Sequence, residues 1–409
     1  MLGGPQAKAP ARLGRGWRRA CVGALAASLL AACAGGLPGS DFSSQPGAPS
    51  ANAAPAAAAD SGQIGDGKVK VGLLLPLSAA GNAGLAAQSM RNAAELALAE
   101  FNNPNVQLLV KDDAGSPQGA QQAAQQAVAE GAGIILGPLF AGSVTQVAQV
   151  ARSRGVPLIA FSTDSNVAGR GVFLLSFLPE SDVDRIVDYA IAQGKRSFVA
   201  LLPDNAYGAV VEGEFKQVVS RKGGRLVALE RYAPDGGNMT EPVRQIAQAA
   251  PRADVLFLPD SGEGVVPAVR ALAAGGVDLK RLQLIGTGLW DDTRIFAEPA
   301  LEGGWYAGPD SAGFRDFAAR YRARYGQDPA RTATLAYDAV ALVAALVKTQ
   351  GERRFAVETL TNASGFAGKD GVFRFRADGT NQRGLAVLKV TPSGGQVIAP
   401  APRTFGSGT

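Results

Sequence analysis

The sequence predicts an α/β protein of two lobes, each built on a parallel sheet, with a cleft between them. Three observations predict it. Short apolar runs of strand length alternate with segments of helical period, first from Lys68 to Phe161 and again from Arg196 to Gly286. The chain is 46% hydrophobic, enough over about 340 globular residues for two cores rather than one. After Trp305 the chain returns to helices and closes on short strands, as a tail that revisits both lobes would.

The N-terminal residues are of another kind. Lys8, Arg12, Arg15, Arg18 and Arg19 precede an apolar stretch, Cys21 to Leu30, that is too short to span a bilayer comfortably. It ends Leu30-Ala31-Ala32-Cys33, which resembles the bacterial lipobox. Residues 1–32 are therefore expected to be a lipoprotein signal peptide. That resemblance makes Cys33 the lipidated first residue of the mature chain, with a lipid anchor to the membrane. Ala34 after the cysteine resembles the pattern sorted to the outer membrane of a Gram-negative cell, on the periplasmic side of the envelope. Residues 33–67, rich in Ala, Gly, Pro and Ser, read as a disordered tether reaching about 30 Å.

Composition excludes several function classes. The five basic residues before Cys33, with no acidic ones among them, account for the whole net charge of +5, so the remainder is formally neutral. No global charge argues for a nucleic-acid partner. The only cysteines are Cys21 and Cys33, which leaves the globular part without a disulfide. There is no histidine, so Ser-His-Asp and Cys-His catalysis and imidazole-dependent metal sites are excluded. The carboxylate pairs Asp112/Asp113 and Asp291/Asp292 come with no nucleophile motif. The expectation is a non-catalytic protein with no metal and no cofactor.

The elements follow in order. Val69 to Leu75 is a continuous apolar run ending at Pro76, the mark of a strand buried on both faces. Met90, Ala94, Ala97 and Phe101 form one stripe of the next helix. Strands at Val106–Lys111, Gly133–Leu136 and Pro157–Phe161 alternate with helices at Gln118–Glu130 and Val144–Arg154. The second alternation has strands at Ser197–Leu202, Leu226–Tyr232, Asp254–Leu258 and Gln283–Gly286. Its helices are Gly208–Lys222, stopped by Gly223-Gly224, one around Gln245, and Val266–Ala273. Helices Phe314–Tyr325 and Thr332–Val347 follow, and then an antiparallel pair, Val372–Arg376 with Leu385–Val390, joined through Asp378-Gly379. Ligands of such sheets sit beyond the strands' carboxyl ends, at helix N-termini.

Four motifs in order, Val71–Ser78, Gly133–Leu139, Val156–Ala160 and Asp204–Gly208, resemble the type I periplasmic-binding-protein family, leucine/isoleucine/valine-binding-like, over Lys68 to Pro400. The resemblance implies two Rossmann-like lobes with parallel sheets, three crossovers and a central cleft. Lobe I would be residues 68–183 plus 309–381 and lobe II residues 184–308 plus 382–403, hinged near Asp182, Gly308 and Gln382. Two branches share that fold. One is the branched-chain amino-acid receptor of an import system, whose partners are an ABC importer permease and a small amino-acid-like ligand. The other is the C-terminal domain of the outer-membrane lipoprotein that activates a penicillin-binding protein, a glycan synthase.

The cleft candidates divide between the lobes. Ser78, Asn82 and Gly84 would offer backbone N–H groups to an anionic end. In the receptors the loop after the third strand supplies a serine. Here Leu139-Phe140-Ala141 stands in that loop, with Ala141 at the matching position and Ser143 two residues on. Ser162, Thr163 and Asp164 follow the fourth strand, with Asp164 read either as cleft wall or as helix cap. On lobe II, Tyr207, Asp260, Ser261, Trp290 and Asp291 are the candidates, Tyr207 and Trp290 being either ligand contacts or packing residues. The receptors' ammonium-binding glutamate aligns with Gly288, so Asp291 or Asp292 would replace it. With three receptor contacts altered, and with Leu175–Asp182, Gly365–Phe373 and Arg383-Gly384-Leu385 resembling activator segments, the sequence favours the activator over solute capture.

Overall fold

Leu73, Leu74 and Leu75 are all fully buried, although consecutive strand residues point to opposite faces. Only a strand covered on both sides allows that. The computed structural model describes residues 62–102, 104–233 and 239–405. The expected signal peptide 1–32, Cys33 and most of the expected tether lie outside the described residues.

The first lobe contains β1 (Gln63–Ile64), β2 (Val69–Leu75), α1 (Asn82–Glu100), β3 (Val106–Asp112), α2 (Pro117–Ala129), β4 (Ile135–Leu136), α3 (Ala141–Ser153), β5 (Leu158–Ala160) and β6 (Val172–Leu174). Its sheet has the order β1-β3-β2-β4-β5-β6, parallel except for β1. Alternation along β2 sorts two cores. Val71, Leu73 and Leu75 pack with Met90, Val340 and Val343 on one face, while Leu74 packs with Ala120, Ala124 and Val147 on the other. The alanines of α2 and α3 let those helices lie close on the sheet.

The second lobe begins with α4 (Pro179–Ala192), β7 (Ser197–Pro203), α5 (Ala206–Arg221), β8 (Arg225–Tyr232), α6 (Thr240–Ala249), β9 (Val255–Phe257), α7 (Gly262–Ala274), β10 (Gln283–Gly286), α8 (Thr293–Phe296) and β11 (Trp305–Gly308). The chain returns through α9 (Ser311–Tyr325), α10 (Ala333–Thr349), α11 (Val357–Leu360), β12 (Phe366–Gly368), β13 (Gly371–Phe375), β14 (Asn381–Arg383), β15 (Ala386–Thr391) and β16 (Gly394–Ala399). The second sheet runs β16-β15-β11-β10-β9-β7-β8, with β15 and β16 antiparallel. Here too alternation divides the faces: Val199 and Leu201 join one core, Phe198, Ala200 and Leu202 the other.

The structure corrects four expectations. Gln63 and Ile64, assigned to the tether, add an antiparallel strand opposite Leu108 and Leu109, because Ile64 has core to cover. The terminal antiparallel pair is wrong in its partner: β13 pairs with β14 around the Asp378-Gly379 turn, and β15 pairs with β11 of the second sheet. Strand β6 and helix α4 occupy a stretch for which the sequence suggested no element. The expected lobe break after residue 183 falls inside α4, whose Val183, Ile186 and Val187 pack against the second sheet. Likewise the break before residue 382 falls inside β14.

Where the chain recrosses, a buried charge network ties the elements together. Asp370 accepts two hydrogen bonds from the Arg331 guanidinium, at 2.9 and 2.6 Å, and one from Thr334 at 2.5 Å. Burial alone would raise Asp370, but Arg331, Arg383 and Thr334 together outweigh it and hold the carboxyl below its ordinary value. Arg331 lies between the rings of Phe177 and Phe314, 4.7 and 4.6 Å from their centres. Arg383, 5% exposed, donates to the Ser176 carbonyl at 2.9 Å and lies over the ring of Phe177, 4.6 Å from its centre. Asp338 accepts the Lys369 N–H at 2.8 Å, and burial pushes its carboxyl up to about 7.

Two outcomes are expected. A Cβ at Gly286 would lie 2.1 Å from the buried Trp290 ring, so Gly286→Ala should lower stability by about 1–3 kcal/mol in thermal unfolding followed by circular dichroism. Asp338 holds its proton in the fold up to about pH 7, against 3.8 ordinarily. Its contribution to stability is complete below about pH 4 and is lost as pH rises through 7. Asp338→Asn should therefore flatten the fall in stability between pH 4 and 8 relative to the parent, measured by denaturant titration at each pH.

Candidate functional site

All the parallel strands deliver their carboxyl ends to loops that precede helices, and the candidates cluster there. On lobe I, three loops converge. A Cβ at Gly115, after β3, would lie 3.4 Å from the Phe140 ring after β4 and 3.5 Å from Ala79 after β2. Asp112 organises the first two, accepting the N–H groups of Ser78 at 3.2 Å and Ala114 at 2.9 Å. The Ser78 N–H is thus already engaged. Asn82 is exposed at the start of α1. Gly84 has a packing reason for its identity, since a Cβ there would meet the Ala79 carbonyl at 2.0 Å.

Helix α3 starts directly from the β4 loop. Leu139 is half-buried against the core, and Phe140 is 39% exposed. No side chain caps the helix, which leaves its first-turn donors and positive dipole end open at Ala141. Ser143 in that turn is 1% exposed, and its Oγ has no partner among the described residues. After β5, Ser162 Oγ accepts the Asp164 N–H at 3.1 Å, Thr163 is exposed, and Asp164 caps a short 3₁₀ turn through the Asn166 N–H at 3.0 Å. Asp164 is a cap.

On lobe II the side chains are acidic and phenolic. The Tyr207 hydroxyl pairs with Thr287 Oγ1 at 2.8 Å. Tyr232 donates its hydroxyl to Asp260, which also accepts the Ser261 N–H at 2.7 Å. Burial raises the Asp260 carboxyl above its ordinary value. Asp291 is exposed and accepts the Tyr306 hydroxyl at 3.4 Å. Trp290 is not a ligand contact: it is fully buried, with its indole N–H on the Leu258 carbonyl at 2.9 Å, because it fills the core beneath the loop. Asp292 is spent on the N–H groups of Arg294 and Gly262, at 2.8 and 3.2 Å.

The structure adds two carboxylates that are not among the cleft candidates. At Gly288, where the resemblance placed a glutamate, Asp182 of α4 accepts the N–H at 2.9 Å, and burial pushes its carboxyl up to about 7. Asp113 is fully buried on lobe I, with Oδ1 on the Gly115 N–H at 2.8 Å and Oδ2 without a partner among the described residues. Burial raises it to about 6. Only the fold, which brings α4 beside the β10 loop, could reveal Asp182. Among the described residues no group of three or more His, Cys, Asp or Glu is placed to hold a metal ion. Nor is any described helix long and apolar enough to cross a membrane.

Comparison with known proteins agrees with the fold. Over 200 residues the chain is 25% identical to a Leu/Ile/Val-binding protein homolog of Brucella melitensis, covering 46% of this chain and 53% of that one. Over 138 residues it is 25% identical to an uncharacterized protein of Rickettsia prowazekii, covering 34% and 37%. The chain thus spans about half or less of the curated relatives it matches. Similar solved structures include a putative branched-chain amino acid ABC transporter protein from Rhodospirillum rubrum, with TM-score 0.72, 21% identity and coverage of 81% and 99%. Another, a Desulfitobacterium hafniense substrate-binding protein in complex with Leu, has TM-score 0.60, 20% identity and coverage of 81% and 99%. A Rhodopseudomonas palustris solute-binding protein in complex with benzoate has TM-score 0.56, 22% identity and coverage of 83% and 97%. At these identities the structures establish a shared fold. The family model for periplasmic binding proteins matches residues 68–396, and the chain belongs to the periplasmic binding protein family.

Proposed function

We propose that this protein is a non-catalytic substrate-binding component of an ABC importer, taking a small amino-acid-like ligand between its lobes. The observation that carries the reading is the opposed chemistry of the two walls. Lobe I offers an uncapped helix N-terminus with a partnerless serine hydroxyl, suited to a carboxylate. Lobe II offers carboxylates braced by tyrosines, suited to an ammonium. Of the similar solved structures, one is an ABC transporter substrate-binding protein with Leu, one a solute-binding protein of an ABC transporter with benzoate, and one a putative branched-chain amino acid ABC transporter. They weigh for solute capture over the synthase-activating role that the sequence favoured. In this reading the globule works in the periplasm, held to a membrane by lipid on Cys33, with a permease as its partner. The lobes close by bending where the chain recrosses, near residues 175–178, 309–310 and 384–385.

Thermal unfolding in the presence of amino acids tests the proposal. A ligand at 100 times its Kd should add about 2.7 kcal/mol, and Ser143→Ala should reduce that gain without changing the unliganded midpoint much. Absence of any shift, together with capture of a glycan synthase by the purified protein, would return the activator reading to first place.

A further inference from the structure

A groove of about 600 Å³ lies beside the recrossing, and none of the cleft candidates lines it. Helices α4 and α5 form one wall through Glu180, Asp184, Gln217 and Arg221, and the turn between β13 and β14 forms the other through Arg376 and Asp378. Its ionic groups already answer one another. Arg221 pairs with Asp184 at 2.7 Å and lies 3.8 Å from Glu214, and Asp188 holds Lys222 at 2.6 Å. Arg185 donates to the Leu385 carbonyl at 2.9 Å, and Asp378 accepts the Thr380 N–H at 2.9 Å.

What remains is hydrogen-bonding capacity. Asn381 and Arg383, 1% and 5% exposed, belong to the groove's lining, as does Glu180. Asn381 Oδ1, both Arg383 Nη atoms and Glu180 Oε2 are buried with no hydrogen-bond partner among the described residues. Buried polar groups are seldom left so. Donors and acceptors both go unanswered there, and that decides the chemistry of what would fit. A carboxylate would meet Arg383 but be repelled by Glu180, and an ammonium would do the reverse. A hydroxyl both donates and accepts. We infer that this groove is a second binding site, separate from the cleft, for a neutral polyhydroxylated molecule, a mono- or disaccharide. Its hydroxyls donate to Asn381 and Glu180 and accept from Arg383. Leu178, Leu385 and Phe405 in the same groove give apolar contact to the carbon face of the ring. Leu178 and Leu385 also stand where the lobes are proposed to bend, so bending shifts the two walls and opens the way to the buried atoms. The way in therefore rests on the solute-binding reading, and the groove itself does not.

Isothermal titration of the full chain with D-glucose, maltose, N-acetyl-D-glucosamine and L-leucine, at low and at high salt, tests the inference. At least one saccharide should bind, with an affinity indifferent to salt because the ligand is neutral. Glu180→Ala should weaken that binding tenfold or more and leave leucine binding unchanged. Because Glu180 also sits in the first turn of α4, Gln217→Ala on the exposed side of the groove serves as the second variant and should weaken the saccharide several-fold. Saccharide binding that Ser143→Ala removes, or that leucine competes away, would place the sugar in the cleft and overturn the inference. Saccharide binding indifferent to both Glu180→Ala and Gln217→Ala would also overturn it. Leucine binding without any saccharide binding would overturn it, the groove then holding ordered water only, and would leave solute capture standing. Binding by none of the four would overturn the inference and count against solute capture as well.

Discussion

A parallel sheet cannot pass from one strand to its neighbour without a crossover that leaves one end and re-enters at the other. The rest of this structure depends on that constraint. Every crossover lays a helix on a sheet face, so both faces of both sheets are sealed, and apolar side chains of β2 and β7 serve two cores each. Ligand chemistry has only the strand ends left to occupy. There the helix starts face the open space, and short loops bring Ala79, Gly115 and Phe140 together on one lobe. On the other lobe they bring Tyr207 to Thr287 and Tyr232 to Asp260.

Where the chain recrosses, buried charged groups are held by polar contacts. Asp338 comes from α10, Arg331 from the residues just before it, Arg383 from β14 and Asp370 from the turn between β12 and β13, and both guanidinium groups lie against the Phe177 ring. Such a network adds little net stability over an apolar core, but losing one member is expensive, about 3–5 kcal/mol, because the other charge is stranded. Its value is in fixing position. Asn381 reinforces it, donating to the carbonyls of Leu174 and Ser176 at 2.9 and 2.8 Å, which pins β14 across the exit of β6. Both Arg383 Nη atoms and Asp338 Oδ2 lack partners among the described residues, so this part of the molecule is the least satisfied of its interior.

What the sequence made legible was what depends on local periodicity. The run Val69–Leu75 and the segment Gln283–Gly286 have the ends that apolar patterning assigns, and Met90, Ala94 and Ala97 lie in the core as their spacing requires. Helix α4 was legible too: Pro179 opens it, Glu180 and Asp182 occupy its first turn, and Val183, Ile186, Val187 and Ala190 follow at helical spacing. Pairing was a different matter. No local rule says that β15 leaves β13 for β11, since the choice depends on which sheet edge is open. At the site, loops could be located but not sorted. Trp290 and Asp291 are adjacent, yet one is core and the other exposed, and the roles of Asp182 and Ser143 arise from burial that spacing does not encode.

The two-residue strand β1 has a bearing on how copies of this protein meet. An uncovered outer strand is a template to which another chain can add itself. Strand β3 would be such a template, with Leu108 and Leu109 at its middle, but Gln63 and Ile64 already occupy its hydrogen-bonding positions there. The other sheet guards its β8 edge differently, with Arg225, Glu230 and Arg231 along the strand. A chain beginning after Ile64 would keep both cores and the whole cleft, yet it would present its first sheet as an open seam for self-association.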